Sequence, residues 1–519
     1  MSEQHTFPDD VESGADHISG ETTPLLSVSP SEVALEINKH DANQPYAAVA
    51  KTEIKWIASS SSLIILTLVL QSSFFFVNVL SVSHLGAKEL AAMSLAVTCM
   101  GILAMAPSFG LLSAMDTFCS TAFTASRDKT LVGFHFQRGI IAVLTHVIIV
   151  APIMWNAEKI LLAIGQDPEI SHLSGIYLRI QIPGIFPWTM FEACKRYLQA
   201  QEIMHAGITI VAVIAPIHWI NSFVFVRSST YGFGFIGAPI VTVVSNVLMF
   251  LGMLIYIRFS KVNETWGGWD IGAFRNMSAY YKLAIPAVVT ICAEWVGFEL
   301  LTIGISYFGA YQLAGHAITM NSVGMLFHIS NGLGYGASPR IGNLIGGAKP
   351  RQARIAADMS MLASVIVGTA GTVFLSVYGE WWTTVYTDDP NIARETARLM
   401  PVACLFLIGD GLNAVFSAVL RGLGRQKVSA NIFLLGFYCC AIPLGAYLGY
   451  GLHMEAVGLW WGMCIGVILS AVLQLVYIFK WIDWSDEVRL CLLRLKGSSN
   501  NRDESDSTED NADGTSISH

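Results

Sequence analysis

Two apolar runs carry carboxylates where a membrane helix would least favour them. Glu294 lies near the middle of residues 283–306, with Glu299 five residues later. Asp410 lies near the middle of residues 397–419, with Asn413 one turn on. A carboxylate inside hydrocarbon is costly, so each such group is a functional candidate by default. Desolvation and a nearby like charge both disfavour the ionised form. A carboxyl tuned this way can load and unload a proton near neutral pH, and if two interact their titration belongs to the pair. Five residues turn a helix by about 140°, so Glu294 and Glu299 cannot share a narrow face. One can face a cavity while the other pairs with a neighbouring helix. The plainer alternative is structural, each acid accepting hydrogen bonds from buried Ser, Tyr or Trp.

Other polar residues in apolar runs are weaker candidates. Gln71 and Asn78, and His218 and Asn221 in APIHWINSF, can hydrogen-bond between helices and line a substrate path. His146 and His328 read as packed side chains. Asp116, in SAMDTF, reads as holding a bent turn at the end of its run. Glu192 reads as an interface ion pair with Lys195 and Arg196. Pro183, Pro187, Pro216, Pro239, Pro286, Pro401 and Pro443 fall in or beside apolar runs, where proline removes a hydrogen bond and bends a helix. No nucleotide loop, zinc-protease helix, nucleophile elbow or paired-cysteine motif is present. The expectation is no enzymatic activity and no cofactor, with an ion gradient as the energy source.

These residues need elements to hold them at mid-depth. The 519 residues are 53% hydrophobic and only 13% charged, with a mean hydropathy of +0.53. A soluble domain is about 25% charged. That composition excludes an ordinary soluble enzyme, a disordered scaffold and a basic nucleic-acid binder. Runs of about 20 apolar residues, the length that crosses a bilayer, fall near 57–80, 89–112, 134–154, 172–192, 205–227 and 235–257. Six more fall near 283–306, 313–336, 359–379, 397–419, 430–450 and 455–479. The expected fold is an all-α membrane protein of twelve transmembrane helices in two pseudo-symmetric six-helix lobes. The expected layout is a disordered N-terminal tail over 1–54, an N-lobe over 55–258, a linker over 259–282, a C-lobe over 283–482 and a C-terminal tail over 483–519.

Charge sets the orientation. With the N-terminus in the cytosol, the even-numbered connections and adjoining run ends hold 16 Lys and Arg, from Arg127 to Lys427, and the odd-numbered ones five. The positive-inside rule therefore puts both tails in the cytosol. The tails themselves are acidic, with nine acids against one Lys in residues 1–50 and six against one Arg in residues 497–519. Residues 1–50 have no basic start and no short apolar core, so no signal peptide is expected. Glu21-Thr-Thr-Pro-Leu25-Leu26 has the form of an acidic dileucine sorting signal, which favours a vacuolar membrane over the plasma membrane. The halves also resemble each other. GLLSAMDTFCSTAFTASRDK follows the second run as GYGASPRIGNLIGGAKPRQAR follows the eighth. Six helices per half give a parallel repeat, with substrate handled near midplane between the halves.

Taken together these segments resemble the multidrug and toxic compound extrusion (MATE) family in its eukaryotic, fungal branch. SAMDTFCSTAF is similar to the family's S-A-L-D-T-x-C-G-Q-A, YLQAQ to its Y-L-Q-x-Q, and AEWVGFELL to its E-W-x-x-F-E. ASPRIGNLIGG is similar to A-S-x-R-V-G-N-x-L-G, and GDGLNAVFSAVLRGLGRQ to the family's tenth span. The match runs in order over residues 55–480. Ser120 and Thr121 depart from the usual Gly and Gln, and Pro339 stands between Ser338 and Arg340. The resemblance implies a proton- or sodium-coupled antiporter that expels organic cations, drugs or metabolites by alternating access. It assigns proton coupling to Glu294 and Asp410. No acid stands in the first run, where bacterial members often carry one, which favours protons handled in the C-lobe. The expected partners are a cationic or zwitterionic small molecule and the lipid bilayer, with no nucleic acid, in a monomer. The alternatives are a sodium-coupled exchanger and a lipid-linked substrate flippase.

Overall fold

In a computed structural model of the full chain, residues 44–228, 230–275 and 277–496 are described below. The sorting pattern Glu21, Leu25 and Leu26 lies outside them.

Among the described residues the chain forms twelve long helices. They are α1 Tyr46–Val82, α2 Ala87–Ala125, α3 Thr130–Trp155, α4 Pro168–Ala200, α5 His205–Arg227 and α6 Gly237–Phe259. Then follow α7 Met277–Ser306, α8 Ala310–Gly346, α9 Pro350–Thr384, α10 Pro390–Gly422, α11 Gln426–Gly451 and α12 Glu455–Lys480. Ten are apolar and long enough to cross a membrane. The other two, α4 and α8, are long enough but dilute their apolar runs with groups such as Arg179, Glu192, Lys195 and Arg196, or His316, His328 and Arg340. Those groups lie against other helices rather than lipid, which spares them the cost of hydrocarbon.

The packing repeats itself. In the first half α1 packs on α5, and α4 on α6. In the second half α7 packs on α11, and α10 on α12. Between the halves α2 packs on α7, as α8 packs on α1. Each lobe is thus a six-helix bundle, and the pair shares one pseudo-two-fold. The first and last described residues lie at one end of the bundle, called the tail side here. None of the prolines inside α4, α5, α7, α8 or α10 interrupts its helix.

Three extents differ from the sequence reading. First, α2 and α8 run on through the Gly/Ser/Ala segments read as turns, so Asp116 is helical and nine residues short of the end of α2. Their polar groups are satisfied by neighbouring helices, so the helices need not stop at the bilayer edge. Second, α1 begins at Tyr46, inside the stretch read as a tail. Its first turns are anchored by Glu53, 2% exposed and bound to Arg340 on α8. Third, residues 484–496, read as tail, form a helix (α13) whose Val488, Cys491, Leu492 and Leu495 recur at helical spacing and are buried. The connection from α6 to α7 is ordered as well. Gln137 of α3 donates to Gly268 O at 2.6 Å and accepts from Asp270 N at 2.9 Å.

Glycines let two helices touch in the C-lobe. Gly458, Gly462 and Gly466 line one face of α12, and a side-chain carbon on any of them would meet α11 at Gly449, Gly445 or Ala441. This is the small-xxx-small contact of membrane bundles. Gly462→Val is expected to cost about 1–3 kcal/mol or more through overpacking, seen as a lowered unfolding midpoint or loss of monodisperse protein in detergent. Gly324→Ala, which meets open space, is expected to change nothing.

Candidate functional site

The lobes enclose a cavity of about 450 Å³ at their interface. Its walls come from α1, α2, α4 and α6 of the N-lobe and from α7, α8, α10 and α11 of the C-lobe. Much of the wall is aromatic or thioether: Met93, Met100, Met105, Phe109, Tyr177, Trp188, Met249 and Trp295. At Gly101–Met105 the turns of α2 widen into a π-helical stretch, and the Trp295 ring of α7 packs where a side chain on Gly101 would stand. Such irregular turns are frequent at functional sites.

Glu294 of α7 and Asp410 of α10 line this cavity and lie within electrostatic reach of each other. Asp410 is 4% exposed. Among the described residues neither carboxyl has a hydrogen-bond or ion-pair partner. Glu294 is half-buried. The buried acids Glu53, Glu192 and Asp116 differ in having partners. Glu53 takes two hydrogen bonds from Arg340, at 2.8 and 2.9 Å. Glu192 pairs with Lys195 at 2.7 Å and accepts from Gln71 Nε2 at 3.2 Å. Asp116 is shared by Arg196 at 2.5 Å and Arg421 at 3.0 Å. A buried charge is tolerated only when it is paired or neutralised. Protein cations do this for Glu53, Asp116 and Glu192.

The remaining sequence candidates divide. Asn413 lines the cavity, and its side-chain oxygen accepts from Gln474 of α12. Gln71 lines it between Glu192 and Lys195, donating to one and accepting from the other at 3.0 Å. Asn78 lines it, bonded to Thr242 and Ser222 at 2.9 Å each. His218, Asn221 and Glu299 are not on the cavity wall. His218 is fully buried, stacked on Phe74 at 4.2 Å between ring centroids, with both ring nitrogens bonded, to Ser245 and to Phe74 O. Asn221 is half-buried on α5. Glu299 is half-buried on α7.

The sequence reading did not foresee the cluster at the cavity floor. Asp116 of α2 holds Arg196 of its own lobe and Arg421 of the other, and both guanidiniums lie over the ring of Tyr335, at 5.2 and 5.6 Å. Thr117 donates to Arg421 O at 2.6 Å and accepts from Gln426 at 2.9 Å. Arg340 of α8 ties down Glu53 and Glu202 of the N-lobe, at 2.8 Å each. A usable signal was present. Asp116 has no cation three or four residues away, so its partner had to come from another helix. Among the described residues the hydrogen bonds and ion pairs between the lobes run from mid-depth, where Ser72 meets His328 at 2.9 Å, to the tail side. Toward the far side the lobes meet by packing, as Trp295 does on α2. The polar ties between the lobes thus lie between the cavity and the tail side.

A family model described as MatE matches residues 64–224 and 286–447, one segment in each half. An uncharacterized transporter of Schizosaccharomyces pombe is 29% identical over 470 residues, 89% of this chain and 88% of that protein. Protein DETOXIFICATION 15 of Arabidopsis thaliana is 32% identical over 453 residues, 86% of this chain and 91% of that one. The crystal structure of the eukaryotic MATE transporter AtDTX14 superposes with a TM-score of 0.81 at 25% identity, covering 86% of this chain and 99% of that one.

Proposed function

The chain belongs to the MatE family of transporters, and from that premise we propose that it is a proton-coupled antiporter that expels or sequesters organic cations. The observation that carries this reading is the unpaired carboxyl pair on the cavity wall, Glu294 and Asp410, whereas Glu192 on the same wall and the buried Asp116 and Glu53 have protein cations. A solute cation and a proton compete to neutralise the same pair, and that competition is what antiport requires. Aromatic faces bind cations. Methionine side chains adapt to varied shapes. Tyr177, Trp188 and Trp295 with Met93, Met100, Met105 and Met249 therefore suit bulky organic cations of more than one outline.

The cycle runs by alternating access. With the tail side shut, the cavity exchanges solute and protons with the far side. Parting of Asp116 from Arg421, and of Arg340 from Glu53 and Glu202, then opens the other face. The Lys and Arg distribution supports a cytosolic tail side, and in that orientation the proposed exchange carries cargo out of the cytosol. The dileucine pattern at Glu21, Leu25 and Leu26 favours a vacuolar membrane as the destination, with the plasma membrane as the alternative.

A direct test exchanges the driving ion. In proteoliposomes with an imposed pH gradient, replacing sodium by choline at fixed pH is expected to leave organic-cation exchange unchanged, and collapsing the pH gradient with an ionophore is expected to stop it. Exchange that dies with sodium and survives the ionophore makes the protein a sodium-coupled exchanger instead.

A further inference from the structure

After α12 the chain turns back beneath the tail side of the bundle as α13. Its polar contacts fasten it to the turn between α10 and α11, in the C-lobe. Glu487, 2% exposed, pairs with Arg425 at 2.7 Å, and Arg494 donates to Leu423 O at 2.9 Å. Gly424 stands at φ +73°, and Arg494 occupies the space a side chain there would need. The same helix also meets the N-lobe. The Thr121 hydroxyl of α2 donates to Thr117 O at 2.7 Å, and the Cys491 side chain of α13 lies beside it. Thr117 borders the corner at Gly424. Val488, Leu492 and Leu495 are at most 4% exposed, within the apolar cluster that also contains Cys119 and Ala122 of α2. So α13 is held to the C-lobe by charge, and its Cys491 end reaches Thr121 of α2 beside the corner where Thr117 and Arg494 flank Gly424, beneath the Asp116–Arg421 pair.

We infer that α13 is a strap across the lobe seam: it stabilises the conformation closed on the tail side, and each transport cycle must lift its Cys491 end off α2. This rests on alternating access and not on which ion drives transport. The physical reason is geometric. Opening the tail side moves α2 away from the α10–α11 turn, and a helix riding on that turn cannot keep its contact with Thr121. The burial lost there then becomes part of the free-energy difference between the two access states.

The contact itself supplies the test. In the Thr121→Cys protein, oxidation with copper phenanthroline is expected to join residue 121 to the native Cys491, stop tetraethylammonium exchange in proteoliposomes, and release it again on reduction. The Thr121→Cys, Cys491→Ser protein is expected to be indifferent to the oxidant. A complete cross-link with undiminished exchange overturns the inference, and so does failure of the cross-link to form. A second measurement needs no substrate, so its result stands apart from that of the proton-coupling proposal. Membrane-impermeant maleimide is added from the tail side to a cysteine at Ser429, on the cavity wall. Labelling is expected to quicken several-fold in Glu487→Lys and to return to the parent rate in the charge-swapped Arg425→Glu, Glu487→Lys protein. Equal rates in all three overturn the inference.

Discussion

Asp410→Asn and Glu294→Gln are each expected to leave the protein folded and in its membrane while reducing pH-gradient-driven organic-cation exchange to the level of empty vesicles. The substitutions are nearly isosteric, and among the described residues neither carboxyl holds a protein partner that the change would orphan. Stability should therefore move little. Function should collapse, because an amide can neither take up the transported proton nor neutralise a cation. The two single variants should be equally severe, since the groups sit in one cavity within electrostatic reach and act as a pair. An unfolding midpoint near that of the parent together with absent exchange is the expected signature. Full-rate exchange in either variant defeats the assignment.

Asp116→Ala is expected to do the reverse and damage the fold first. Its carboxylate is shared by two guanidiniums whose side chains are 5% and 15% exposed. Removing it leaves two buried like charges over one tyrosine ring, and breaking a buried ion pair in this way costs about 3–5 kcal/mol. The expected reading is an unfolding midpoint in detergent lowered by several degrees, with less monodisperse protein. Arg421→Gln should cost less, because Asp116 keeps Arg196 at 2.5 Å. If Asp116→Ala unfolds at the parent temperature, the cluster is not the tie between lobes described above.

The sequence made some of this legible and hid the rest, for identifiable reasons. The helix runs were readable because crossing a membrane demands about 20 apolar residues each, and α4 and α8 were read as apolar runs at 172–192 and 313–336 even though their polar groups dilute them. Glu294 and Asp410 stood out because acids at mid-run are rare. The 140° turn between Glu294 and Glu299 already argued that one cavity would not receive both, and the structure puts Glu294 on the wall and leaves Glu299 off it. What stayed hidden depends on contacts between distant segments. Asp116 and Arg421 are 305 positions apart in sequence, and no local pattern couples them. His218 and Asn221 looked equivalent to Asn78 as polar residues in apolar runs. Only packing decides that Asn78 reaches the cavity while His218 stacks on Phe74. The helix α13 was missed because it is short, lies beyond the last apolar run, and runs into an acidic tail that dominates the local composition. Its apolar positions Val488, Cys491, Leu492 and Leu495 carry a helical period that a narrower window would have caught.

The central claim is that one carboxyl pair binds either proton or cation. It is tested most directly by proton release. When organic cations are added to the purified protein in weakly buffered detergent, the parent is predicted to release protons in proportion to the cation bound, and the Glu294→Gln, Asp410→Asn protein to release none. Cation binding by the parent with no proton released, or equal release from both proteins, contradicts it.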